Sequence, residues 1–328
     1  MFRTHRRGIV TLAAAIAVAV AGAWTHPAQA QQKPTIKVSS LTLPVFNPLV
    51  WNIMKARKFD EKHGFNLDIR AYPSISAFYA AFATGETDVL IGGPTVLQKL
   101  YNEGVPLRIF SSAFTLGDLV IFAKDPKIKS LADLKGKQLA IDMGGSQFQV
   151  VKIYANAKGI DLGKDITVVN ANFAVARAQL EANRVEAALV IEPLASIILK
   201  QRPDWHVIFN GAEGWKEITG DAGWEIVPAM RTELIQKHPD APKMMLAALA
   251  DVADVMHKET AAGDKIAAET TRLPPGILTA AIESKRLQFI VKPASDPAVH
   301  KSLRDMMDRA VKAGFYDKAA DDKIFYKP

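Results

Sequence analysis

Gly144, Gly145, Ser146 and Gln147 stand together directly after the apolar run Gln138 to Asp142. A strand that ends in glycines and opens into a helix turns the unbonded N–H groups of the first helical turn one way. The helix dipole adds positive charge there, and glycine lets a ligand come close to the backbone. Such a turn seats an anion-sized group, with the Ser146 hydroxyl beside it. It does not read as catalytic, because Gly144 to Phe148 lacks the second glycine of a nucleophile elbow and the Lys and Ser/Thr of a phosphate loop. Three carboxylates offer the opposite chemistry. Asp118, Asp142 and Glu192 fall near expected strand ends, where they can accept from an amine or a ring nitrogen, although for Asp118 and Asp142 a capping or turn role is the favoured reading. Phe46, Phe114, Phe148 and Phe173 fall on loops or helix starts, where a ring can stack on a ligand, and Asn172 beside Phe173 can fix a polar edge. Outside the N-terminal segment the histidines are His63, His206, His238, His257 and His300, scattered without metal-ligand spacing, and there is no cysteine. Neither a metal, a cofactor, a thiol nucleophile nor a disulfide is expected.

The elements around these residues alternate. Strands are expected at Thr35 to Leu41, Phe65 to Ala71, Asp88 to Ile91 and Val105 to Ser111, with helices between them carrying apolar stripes such as Phe46, Leu49, Val50, Ile53 and Met54. Ser130 reads as the cap of a short helical turn with Asp133 three residues on. A second series follows, with strands at Gln138 to Asp142, Thr167 to Asn170, Ala187 to Ile191 and His206 to Phe209, and helices at Gln147 to Lys158, Ala174 to Asn183 and Pro193 to Gln201. After Gly223 to Met230 the pattern is helical, at Asp240 to His257, Gly263 to Thr271, Pro274 to Arg286 and Asp296 to Ala313. Alternating strands and helices predict α/β architecture with mostly parallel sheets, whose ligands bind at the carboxyl ends of the strands. Asp118 to Lys124 reads as an extended segment leaving the first unit and Gly223 to Met230 as one returning to it, so a cleft between two lobes is expected.

The first 30 residues differ from the rest. Arg3, Arg6 and Arg7 precede an apolar run from Ile9 to Trp24, and Ala28-Gln29-Ala30 supplies a small-x-small cleavage site. The run is shorter than the roughly 20 residues a membrane span needs, so it reads as a signal peptide cut after Ala30, with export to the periplasm by the general secretory or twin-arginine route. Without these three arginines the chain has 38 basic and 34 acidic residues. A charge of that size, with no basic patch interleaved with aromatics, argues against nucleic acid as a partner.

Several segments carry a resemblance in their order and spacing: Lys62-His63-Gly64-Phe65; Ala83 to Asp88; Ser130 to Lys137, SLADLKGK; Gly144-Gly145-Ser146; and Arg184 to Ala188 leading to Ile191-Glu192-Pro193. In these the chain resembles the periplasmic solute-binding proteins of ABC transporters of the nitrate, sulfonate and taurine group, which includes relatives that bind thiamine-precursor pyrimidines. The resemblance implies a two-lobed type II binding-protein fold closing by hinge bending, with lobe 1 from residues 31–121 and 227–328 and lobe 2 from 122–226. It implies ligand contacts near Pro44 to Asn47, at the Gly92 to Thr95 turn, at the Gly144 to Gln147 helix start and around Glu192. With the aromatic and polar candidates above, the expected site is Pro44, Phe46, Asn47, Gly93, Thr95, Phe114, Gly145, Ser146, Gln147, Asn172, Phe173 and Glu192. The ligand would be a small organic anion, zwitterion or heteroaromatic molecule. The partner would be an ABC permease with its cytoplasmic ATPase, served by a monomer that meets the membrane only through the permease. A periplasmic ligand sensor and an enzyme on the same fold are the alternatives. The chain departs from the pattern at Arg57-Lys58-Phe59, where a glycine-aromatic turn is usual, at Asn183-Arg184, where a glycine is usual, and at Glu192, where Asp is commoner.

Overall fold

Runs such as Leu119–Ala123 and Ala187–Ile191 contain no polar residue, and every residue in both is buried. Uninterrupted apolar strands of this kind belong to sheets covered on both faces. A computed structural model describes residues 33–43 and 45–328 and contains two such sheets. The signal-peptide reading and Pro44 lie outside the described residues.

The first sheet is built from β1 (Thr35–Leu41), β2 (Asn66–Tyr72), β3 (Val89–Gly92), β4 (Leu107–Ile109), β5 (Phe114–Thr115) and a late strand, Trp224–Arg231. The second contains β6 (Leu119–Ala123), β7 (Gln138–Ile141), β8 (Thr167–Asn170), β9 (Ala187–Ile191) and β10 (His206–Asn210), which makes the late strand β11. The spatial orders are β2-β1-β3-β11-β4, with β5 against β11, and β10-β6-β9-β7-β8. β1 lies parallel to β2 and β3, and β7 parallel to β8 and β9. The crossing strands run the other way: β11 is antiparallel to β3, β4 and β5, and β6 to β9 and β10. The sheets are therefore mixed, because a strand returning from the other sheet enters its own from the opposite end.

Helices cover both sheets. In Asn47–Ala56 the stripe Leu49, Val50, Ile53 and Met54 is fully buried, and Trp51 Nε1 donates to Ser39 O at 3.0 Å, locking the helix to β1. Each such side chain contributes roughly 1.5–3 kcal/mol by leaving water. Ala241–Lys258 and Thr260–Thr271 pack on this helix, as expected of the helical C-terminal part. Three helices were not expected: Phe59–Lys62, Gly211–Thr219 and Thr232–Lys237. Ser130 differs too. Its side chain caps no backbone N–H; its hydroxyl donates to Asp133, whose carboxylate also accepts the Lys129 N–H, both at 2.9 Å. Those bonds favour the charged form and hold the Asp133 carboxyl below its ordinary pKa. No helix among the described residues is long and apolar enough to cross a membrane.

Candidate functional site

The loops that follow β1, β7 and β8, the helix after β2 and the ends of β3 and β9 meet the two crossing segments around one chamber. Its walls are apolar: Leu41, Val45 and Phe46 after β1, Ile75 and Phe78 from helix Ile75–Thr84, and Phe114, Phe173, Ile191 and Ile226 elsewhere. The polar groups are few, namely Asn47, Tyr79, Asp118, Gln147 and Glu225.

Each polar group is placed by its element. Ser74 caps helix Ile75–Thr84, accepting from Ala77 N at 3.2 Å, and the spacing of Ile75, Phe78 and Tyr79 then turns all three to one face. Tyr79 is buried, which pushes its hydroxyl pKa up, and that hydroxyl accepts the Gly93 N–H at 2.8 Å. Asn47 opens its helix and donates from Nδ2 to Ile91 O at 3.2 Å. Gln147 lies in the first turn of helix Ser146–Ala157 and donates from Nε2 to Glu225 Oε1 at 2.6 Å. Glu225 owes its position to a bulge. Trp224 pairs with Thr115 and Ile226 with Phe114, so Glu225 is the extra residue, and the adjacent residues Glu225 and Ile226 both reach the chamber instead of alternating. Asp118 lies just before β6, on the other crossing segment, within hydrogen-bond reach of Glu225.

Electrostatics separate these carboxyls from Glu192. Burial, then the neighbouring Glu225, push the Asp118 carboxyl well above its ordinary range, and burial pushes Glu225 up as well. Among the described residues no lysine, arginine or histidine lines the chamber. Glu192 instead accepts from Arg286 Nε at 2.6 Å and from Ser196 N and Oγ at 3.0 and 2.9 Å, so its charge is already matched.

Of the twelve expected site residues, Phe46, Asn47, Phe114, Gly145, Gln147 and Phe173 lie on the chamber wall. Five do not. Ser146 is buried behind the wall with its Oγ 3.4 Å from Glu225 O, and Gly93 passes so close to it that a Cβ there would lie 2.3 Å from that oxygen. Thr95 is buried in the turn after Gly93, Asn172 caps the helix Phe173–Glu181 through Val175 N at 3.0 Å, and Glu192 pairs with Arg286. Phe148 packs edge-on against Phe315 in the second core, at 6.1 Å between ring centres, and so is no ligand platform. Asp142 accepts the Gly144 N–H at 2.8 Å, a turn role. Sequence reasoning missed Tyr79 and Glu225 and favoured turn capping for Asp118. A tyrosine four residues after Ile75 on an expected helix was the available signal for Tyr79; a bulge leaves none for Glu225.

These features, two α/β units with a chamber at their strand ends and crossing segments, define the periplasmic-binding-protein class of fold. The aliphatic sulphonate binding protein SsuA from Escherichia coli superposes with a TM-score of 0.76 at 17% identity, over 90% of this chain and 92% of that one. A protein of Brucella abortus (strain 2308) named as a binding protein is 24% identical over 269 residues, 81% of this chain and 82% of that one. One of Haemophilus influenzae named for thiamine biosynthesis is 26% identical over 167 residues, 50% of this chain and 52% of that one. The NMT1-like family model matches residues 29–270, and the chain belongs to that family.

Proposed function

We propose that this chain is an exported solute-binding protein that holds a small molecule with an apolar or heteroaromatic body between its lobes and delivers it to an ABC permease. The observation that carries the reading is the chamber itself: residues from both sheets and both crossing segments meet there, so a solute filling it touches everything that must move together. The binding-protein fold of its relatives supports the same role. The lobes would be residues 31–121 with 227–328, and 122–226, and the exported form would begin at Gln31.

The sulfonate bound by the E. coli relative is a poor guide to the solute here. A helix N-terminus favours an anion by about 0.3–1 kcal/mol. Bringing a further negative charge beside two buried carboxyls costs several kcal/mol per ion, and no wall cation offsets it. The acids decide the sign. A thermal-shift screen of the purified protein against alkanesulfonates, nitrate, aromatic carboxylates, amino acids, pyrimidines and primary amines tests the role. A binding class stabilises the native state by about 2.7 kcal/mol at a hundredfold excess over its dissociation constant. If no class raises the melting temperature of a well-folded sample, the solute-binding reading is overturned.

A further inference from the structure

The geometry points to a solute that carries a single positive charge: Asp118 and Glu225 take its protonated amine or amidinium, while its apolar body lies among Phe46, Phe114 and Phe173. The assignment rests on the chamber being the solute site. Among the three buried acids at this junction, only Glu192 has a cationic partner, Arg286. Asp118 and Glu225 are each more than nine-tenths buried, on opposite crossing segments, and have no basic side chain beside them.

Unfilled acceptors say the same independently. Asn47 Oδ1 and Gln147 Oε1 are buried without a hydrogen-bond partner among the described residues, and both residues line the chamber. The NH₂ group of Asn47 gives one hydrogen to Ile91 O and that of Gln147 one to Glu225 Oε1, which leaves the amide oxygens as the open atoms. Open acceptors beside two buried acids fit a donor-rich head, and an ammonium or amidinium supplies three or four N–H groups together with the missing charge.

The groups facing the pair are Glu192, matched by Arg286, and Tyr79, whose hydroxyl burial holds in the neutral form. The proton that relieves repulsion in the pair is therefore held by Asp118 and Glu225 themselves. An arriving cation takes over that task, keeps its own protons, and sends the shared proton to solvent. Affinity then rises with pH while the pair still holds its proton, by up to about tenfold per unit for one proton released.

Calorimetric titration of the purified protein with benzylamine and benzamidine, against the neutral benzyl alcohol and the anionic benzenesulfonate, tests this. Run from mildly acidic to mildly alkaline pH in buffers of different ionisation enthalpy, it also counts released protons. We expect the two cations to bind at least about tenfold more tightly than the matched neutral and anionic probes, with proton release. Asp118→Asn and Glu225→Gln should each abolish that preference while leaving the melting temperature unchanged or higher. Equal or tighter binding of benzyl alcohol or benzenesulfonate overturns the charge assignment and leaves the solute-binding reading in place. A neutral or anionic solute found by mass spectrometry of the denatured, freshly purified protein does the same. If none of the four probes binds and no solute accompanies the protein, the charge assignment falls, while the reading beneath it falls only if the thermal screen finds no binding class either.

Discussion

Asp118 and Glu225 are the residues whose chemistry the fold does not balance internally. Their raised carboxyl pKa values mean that the folded protein holds more protons than the unfolded chain above the ordinary carboxylate range. Stability is therefore full below the unfolded pKa and declines as pH rises through the raised folded values. Asp118→Asn removes a buried carboxyl that has no counter-charge. We expect denaturant melts to show the variant about 1–3 kcal/mol more stable at mildly alkaline pH and with a flatter pH profile. A variant less stable than the parent across the whole range would mean that Asp118 is held by partners as Glu192 is. Phe46, Asn47 and Gln147 were legible in the sequence because each follows a strand with clear alternation or an apolar run, where ligand loops occur. Asp118 read more readily as a turn cap, and burial, which sequence does not display, separates the two roles.

At the scale of elements, local chemistry was mostly readable and long-range contacts were not. β1, β8 and β9 occupy the ranges their patterns predict, since alternation or an unbroken apolar run follows directly from burial of one or both faces. Helix Gly211–Thr219 escaped notice because glycines at 211 and 214 dilute its pattern. They are there for packing: a Cβ at Gly214 would lie 2.3 Å from the Phe209 ring and one at Gly211 2.4 Å from Leu116 O. Ser146 and Glu192 carried the right residue types for a site, yet their partners are far along the chain, Glu225 and Arg286, and only the tertiary fold assigns them. Glu192→Ala should leave Arg286 uncompensated and cost about 3–5 kcal/mol in a urea melt, with chamber ligands still discriminated by charge. Loss of the discrimination with full stability would return Glu192 to the site. Gly93→Ala drives a methyl into Ser146, so the loops after β3 and β7 must part; we expect solute affinity to fall at least about tenfold with an unchanged circular dichroism spectrum. An unchanged affinity would show that these loops need not touch for binding.

For the whole molecule, the order of elements was readable while strand direction was not. Two α/β units with helical closure followed from the alternation, but the insertion of β11 between β3 and β4, antiparallel to both, depends on which end of the first sheet the chain re-enters. That placement matters, because it brings Glu225 beside Asp118 at the base of the chamber, one acid on each crossing segment. A solute bound there ties the two sheets together at their hinge. The most direct test of the account is small-angle X-ray scattering of the purified protein with and without the solute class that stabilises it in the thermal screen. The account predicts a smaller radius of gyration on saturation, lost in Asp118→Asn when the solute is a cation. A solute that binds tightly with no change in the scattering curve would contradict capture between closing lobes.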